Sequence, residues 1–298
     1  MARIELPQRG LHLEYESHGS EKRPAVILIM GLGLQLVSWP PALIDAIVDA
    51  GYRVIVFDNR DIGLSGSGRL PEDYARPQRA LLAHLLHQEF TPAYRIADMA
   101  ADTIALADAL RIDRFDVVGV SLGGMIGQTL AARWPERVRS LVSIMSSAGP
   151  RTAPWPNPAL LWRFLQRPPK DAALDAKLGH FMALMRALGS ITDRAELDAL
   201  RRRLELSLQR SYNPAGVARQ LMAVLADPDR SAEVARIRCP TLIIHAADDP
   251  LVPLPAARHL ARLLPHARLE VIEHMGHYLP ADKMARLAEL IVGHLRAL

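Results

Sequence analysis

Cysteine is nearly missing from this sequence. Cys239 is the only one in 298 residues, so no intramolecular disulfide can form and the fold must rest on packing. It stands just before Pro240 at the foot of an expected strand, with no base beside it, and reads as a small apolar residue rather than a nucleophile. Long hydrophobic runs are missing as well. The most apolar stretch, Ala25 to Leu34, is too short to cross a bilayer and contains Gly31 and Gly33. A buried strand running into a loop is the expectation there. Met1 to Gly10 carries Arg3, Glu5, Pro7 and Arg9 and lacks the apolar stretch of a signal peptide. A cytoplasmic location without a membrane partner is therefore expected. No internal repeat or low-complexity tract is found, and no His, Cys, Asp or Glu cluster has metal-ligand spacing, so neither a metal nor a cofactor is expected.

Nor does one sign of charge dominate. The 36 Lys and Arg residues face 32 Asp and Glu residues, for a net charge of +4, and both signs are mixed along the chain. Binding to nucleic acid is not expected from such a balance. The one basic cluster, Arg201-Arg202-Arg203, lies in a helical stretch with Leu200, Leu204 and Leu208, and reads as a solvated face. What is abundant is apolar surface. Half of the residues are apolar and 23% are charged, a globular composition able to bury a large core.

The order of elements follows from periodicity. Leu11 to Tyr15 alternates as a half-exposed strand, and Ser17 to Pro24 supplies turn residues, so a hairpin is expected to open the sheet. Val26 to Met30 and Val54 to Phe57 are short, apolar and β-branched, with a helix from Ala42 to Ala50 between them, closed by Gly51. The pattern recurs as a helix over Ile96 to Leu110, with Asp98, Asp102 and Asp108 on its surface, a strand over Asp116 to Val120, a helix over Leu122 to Arg133 and a strand over Val138 to Met145. Such alternation predicts an α/β fold with a mostly parallel sheet covered by helices on both faces. From Gly149 to Arg236 the rhythm stops, and the sequence becomes Pro-rich and then helical. It resumes with a strand over Thr241 to His245, a helix over Pro255 to Leu264, a strand over Arg268 to Ile272 and a helix from Asp282. The expected organisation is a core of residues 1–148 and 237–298, with a helical cap of residues 149–236 inserted between them.

Gly119-Val120-Ser121-Leu122-Gly123 matches the G-x-S-x-G nucleophile elbow, placed between an apolar strand and a helix as that motif requires. A serine hydroxyl is a weak nucleophile and needs a base within hydrogen-bond reach, itself oriented by a third group. With this elbow the acid and then the base follow the serine along the chain. Asp248 and Asp249 directly follow a late strand, and His274 and His277 follow the last one. One oxyanion donor is the Leu122 N–H. A second should come from the loop after the Val26 to Met30 strand.

With these residues in view, the chain resembles the α/β-hydrolase family, and is particularly similar to small esterases of the aclacinomycin methylesterase-like group. Five segments in order carry the resemblance: Met30-Gly31-Leu32-Gly33, Asp58-Asn59-Arg60-Asp61-x-Gly63-x-Ser65, the elbow, Asp249-Pro250-Leu251-Val252-Pro253, and Gly276-His277. The resemblance implies Asp249 as the acid, His277 as the base and Leu32 as the second oxyanion donor. Many relatives carry His-Gly where Met30-Gly31 stands. The Asp58 to Ser65 segment is expected to be a hydrogen-bonded turn supporting the oxyanion loop. His245 is expected to be a satisfied histidine at a strand end.

The implied activity is two-step hydrolysis of small to medium apolar esters through an acyl-enzyme on Ser121. C–C bond hydrolysis or perhydrolysis on the same triad is an alternative, as is a weakly catalytic ligand-binding homologue. Trp155, Trp162, Phe164, Phe181, Met182 and Met185 fall in the expected cap, where they either pack it onto the core or line an apolar pocket. Of these, Trp155, Trp162 and Met182 are the candidates for contact with a small-molecule substrate. Oligomeric state is not legible.

Overall fold

A computed structural model describes residues 1–67, 77–152, 154, 158–189, 191 and 193–297. The core elements are β1 (Ala2–Leu6), β2 (Leu11–His18), β3 (Ala25–Ile29), α1 (Pro41–Asp49), β4 (Arg53–Phe57), β5 (Gly66–Ser67), α2 (Pro77–Leu85), α3 (Ile96–Ala109), β6 (Phe115–Val120), α4 (Leu122–Arg133) and β7 (Val138–Ile144). Then come α5 (Pro158–Leu165), α6 (Leu174–Gly189), α7 (Arg194–Arg210), α8 (Pro214–Leu225) and α9 (Ser231–Val234), with no strand among the described residues. The chain closes with β8 (Thr241–Ala246), α10 (Pro255–Leu263), β9 (Arg268–Ile272) and α11 (Met284–Arg296). No helix among the described residues is long and apolar enough to cross a membrane.

The strands form one sheet in the order β1-β2-β4-β3-β6-β7-β8-β9, with β5 beside β2. The contacts from β4 to β9 are parallel, and β1 and β2 join antiparallel. The opening hairpin is β1 with β2, turned at Pro7 to Gly10. Ser17 to Pro24 does not join neighbouring strands, because β4 lies between β2 and β3.

Burial explains why the central strands read as continuous apolar runs. Every residue of β3, β4, β6 and β8 is buried, and alternate side chains point to opposite faces. Ile27, Ile29 and Val117 pack on one face with Met99 and Leu106 of α3 and Ile126 of α4. Val26, Leu28 and Val118 pack on the other with Leu43 and Ile47 of α1 and Leu287 and Ile291 of α11. Each such side chain contributes about 1.5–3 kcal/mol when fully buried, which is how the fold stands without a disulfide.

One expected surface residue is in fact internal. Asp102 is 2% exposed and receives Arg9 Nε at 2.6 Å and Arg60 Nε at 2.5 Å. A two-sided guanidinium clamp compensates its burial, and helical periodicity cannot reveal partners 93 and 42 residues away.

The chain leaves β3 for β4 on one side and returns to β6 on the other. That reversal opens a crevice at the carboxyl ends of β3 and β6, the usual binding place in open α/β sheets. The expected nucleophile and oxyanion loop both start there.

Candidate active site

Ser121 occupies the joint between β6 and α4 at φ 56°, ψ −117°, a conformation that side-chain-bearing residues rarely adopt. Its surroundings hold it there. The Ser121 N–H donates to Ile144 O at 2.8 Å, and its carbonyl accepts from Gly124 N–H at 2.9 Å and from the Ser146 hydroxyl at 2.8 Å. Space dictates the flanking glycines. A Cβ on Gly119 would lie 2.2 Å from Gly123 O, and one on Gly123 would lie 1.9 Å from Ile29 O, so neither position admits a side chain.

Asp249 is buried in the loop after β8. Its Oδ1 accepts from the N–H groups of Leu251 and Val252 at 2.9 and 2.8 Å. Its Oδ2 accepts from His277 Nδ1 at 2.7 Å. With that proton on Nδ1, His277 Nε2 is an acceptor, and it faces Ser121 Oγ at 3.0 Å. Burial works against the Asp249 carboxylate, but the neighbouring His277 and the Val252 N–H outweigh it and hold the group below its ordinary pKa. An ionised acid, an imidazole and a hydroxyl thus stand in one proton-transfer line.

The adjacent rivals do not join it. Asp248 and His274 are both exposed. His245 is fully buried, donates from Nε2 to Val252 O at 2.7 Å and, among the described residues, has no hydrogen-bond partner for Nδ1. The expected satisfied histidine is therefore satisfied at one nitrogen. Burial pushes its pKa down.

Leu122 is the first residue of α4, where a helix leaves its N–H groups without intrahelical partners. Leu32 lies in the loop after β3 and lines the same cavity as Ser121. That loop is braced from two sides. From the core, Asn59 Nδ2 donates to Met30 O at 3.0 Å and Asp58 Oδ1 accepts from Leu36 N–H at 2.7 Å. From the inserted helices, Gln220 Oε1 accepts from Gly33 N–H at 3.0 Å, while Arg210 Nη1 donates to Asp58 Oδ2 and Gln35 Oε1 at 2.6 and 2.8 Å. The first brace was legible in the Asp58 to Ser65 segment. The second, from α7 and α8, carried no local signal.

A family profile for the alpha/beta hydrolase fold matches residues 24–283. The chain belongs to the α/β-hydrolase fold family. This α/β-hydrolase is 32% identical to rhodomycin D methylesterase DnrP of Streptomyces peucetius and 33% identical to the methylesterase DauP of Streptomyces sp. strain C5, in both cases over 95% of this chain and 94% of the relative. Among solved structures, the enol-lactonase from Burkholderia xenovorans LB400 matches with a TM-score of 0.75 at 20% identity, covering 96% of this chain and 97% of that one. At that identity the likeness shows the fold alone.

In this α/β-hydrolase a cavity of about 170 Å³ opens onto Ser121 and His277. Its wall is mainly apolar, with Leu34 from the core and Phe181, Leu184, Met185 and Leu188 from α6. The expected substrate contacts are placed elsewhere. Trp162 is 60% exposed and off the wall, and Met182 packs beside Leu178 and Leu200 rather than lining the cavity. The α6 face that meets the site runs through Phe181, Leu184 and Leu188, and Trp162 lies outside the packed face of α5. Trp155 and the Phe164 side chain lie outside the described residues.

Two other expectations can be placed. Arg201 and Arg202 are exposed, but Arg203 is half-buried and lines the cavity, so the cluster is not wholly a solvated face. At i+3 from Leu200, Arg203 shares that residue's side of the helix. Cys239 is half-buried, and burial pushes its thiol up to about 11, which keeps it protonated and unreactive at neutral pH.

Proposed function

We propose that this protein is a serine carboxylesterase working through an acyl-enzyme. What carries the proposal is the 3.0 Å approach of His277 Nε2 to Ser121 Oγ, with Asp249 2.7 Å behind the imidazole. Ser121 attacks the ester carbonyl as its proton passes to His277, and Asp249 orients the ring and stabilises its cation. The N–H groups of Leu122 and Leu32 receive the negative charge of the tetrahedral intermediate. His277 then protonates the departing alcohol, and water, deprotonated by the same imidazole, releases the acid.

Residues 149–236 act as a cap over this site. The support is that α6 and α7 furnish one wall of the cavity and the β3 loop another. The apolar side chains on both walls favour an ester with substantial hydrocarbon surface. The methylesterases among the relatives make a methyl ester of a bulky acid the first candidate.

Fluorophosphonate labelling, followed by turnover of p-nitrophenyl esters of increasing acyl length, tests this reading. The expected result is a label on Ser121 and hydrolysis of at least the short esters. Labelling without turnover of any ester would point instead to C–C cleavage or to a binding protein on the same triad.

A further inference from the structure

We propose, building on the esterase reading above, that Glu196 on α7 is a positioning residue for His277, tying the loop that carries the base to the helices between β7 and β8. The starting point is how that loop is held. His277 donates its backbone N–H to Leu188 O, in the last turn of α6, at 2.8 Å. Glycine permits the approach from both sides: a Cβ on Gly276 would overlap the Leu188 carbonyl, and one on Gly189 would overlap the Tyr278 ring. Glu196 supplies the next tether. Its Oε1 accepts from the Ala281 N–H at 2.9 Å, across 85 residues of sequence, and the Tyr278 hydroxyl meets the same carboxylate. The acid loop rests on α6 as well, since Leu251 packs against Leu184 and Leu188.

Local sequence offers Glu196 a different task. It stands three residues after Asp193, whose carboxylate caps α7 by accepting from the Glu196 N–H at 2.8 Å, and a glutamate at that position ordinarily turns back to cap its own helix. Here Oε1 serves the loop after β9. Burial, and then Glu196 and Asp282, hold the Tyr278 phenol well above its ordinary pKa, so it stays protonated and donates to the carboxylate. Asp249 orients the imidazole through Nδ1, but the 3.0 Å from Nε2 to Ser121 Oγ also depends on where the backbone of residues 276–278 sits. A loop after an edge strand such as β9 has freedom to shift, and a displacement of about 1 Å in such a placement can cost on the order of 10²-fold in rate. Arg203 also faces Glu196, and it lines the cavity. An effect of Glu196 that ran through Arg203 would therefore fall on substrate binding, whereas one that runs through His277 falls on turnover.

Steady-state kinetics on p-nitrophenyl butyrate separates the two, with kcat taken per fluorophosphonate-labelled site so that unfolded protein is not counted. Glu196→Ala should lower kcat by about 10-fold with KM within about twofold of wild type. Tyr278→Phe, which removes one of the two tethers, should fall between, and Glu196→Gln, which keeps an acceptor, should recover most of the rate. Asp198→Ala, at an exposed acid on the same helix, should stay within about twofold of wild type. An alanine variant at position 196 within about twofold in kcat, a loss confined to KM, a loss that glutamine does not lessen, or an equal loss in Asp198→Ala overturns the proposal while leaving the esterase reading intact. Should Glu196→Ala not fold, the kcat of Tyr278→Phe decides: a reduction sustains the proposal and a wild-type value rejects it. If no ester is turned over, the esterase reading fails, and proton NMR decides this inference alone. The downfield signal of the His277 Nδ1 proton, assigned by its loss in His277→Gln, should be sharp in wild type and broadened or lost in Glu196→Ala and Tyr278→Phe. A wild type without that signal, or variants in which it is unchanged, rejects the inference.

Discussion

Gln220 Oε1 accepts a hydrogen bond from the Gly33 N–H at 3.0 Å, joining residues 187 positions apart. Its amide nitrogen donates to Arg60 O, also at 3.0 Å. One buried side chain on α8 thus ties the inserted helices both to the loop that carries the Leu32 N–H and to the turn beneath it. On the proposed mechanism, the geometry of one oxyanion donor depends on how α8 is seated.

Gln220→Ala should therefore lower kcat by about 10-fold with little change in KM, because a misplaced donor weakens the transition state more than the ground state. Gln220→Glu, which keeps an acceptor for Gly33, should lie between the two. Steady-state kinetics on p-nitrophenyl butyrate reads this directly, and an alanine variant within about twofold of wild type in kcat would sink the idea.

Removal of the proposed nucleophile should be far more severe. Ser121→Ala is expected to cost about 10⁶ in kcat and Asp249→Asn about 10⁴. Asp248→Asn and His274→Gln, whose side chains are exposed, should stay within about twofold. Comparable losses at Asp248 or His274 would mean that the wrong pair has been assigned.

Glycine positions offer a stability test with opposite signs. Gly123→Ala places a Cβ 1.9 Å from Ile29 O and should destabilise by more than about 3 kcal/mol, or prevent folding. Gly179 is exposed on α6, and a Cβ there meets nothing within 4 Å. Gly179→Ala should stabilise by about 0.5–1 kcal/mol. Chemical denaturation of both variants checks the pair, and a destabilised Gly179→Ala protein would contradict the open helix face.

Stability should also fall with acid in a definite window. His84 and His245 are buried, and burial pushes both below the ordinary value of 6.5. Above that value both folded and unfolded chains hold them neutral. As pH drops, the unfolded chain takes up protons that the folded one resists, so unfolding is favoured by up to about 1.4 kcal/mol per histidine for each pH unit below about 6.5. Urea unfolding at about pH 7.5 and 5.5 should show a larger loss for wild type than for His84→Gln. Equal losses would show that His84 does not carry that dependence.

Local sequence determined most of the scaffold and the candidate triad. The central strands were legible because burial on both faces makes them short β-branched runs, and α4 and β9 lie at their expected bounds. The elbow was legible because its glycines answer backbone clashes that allow no substitute. Asp249 and His277 were narrowed to adjacent pairs by chain order, since each follows the carboxyl end of a strand, and the family resemblance chose between them.

Tertiary structure alone decided the rest. Whether Asp102 faces water, whether Arg203 looks outward or into the cavity, and which side chains of the helices between β7 and β8 line that cavity all turn on partners distant in sequence. Helical periodicity gives the side of a helix but not what stands opposite it. For the segment between β7 and β8, therefore, the helices were legible in the sequence, whereas the cavity-lining face, with Phe181, Leu184 and Arg203 rather than Trp162 and Met182, was decided in the fold.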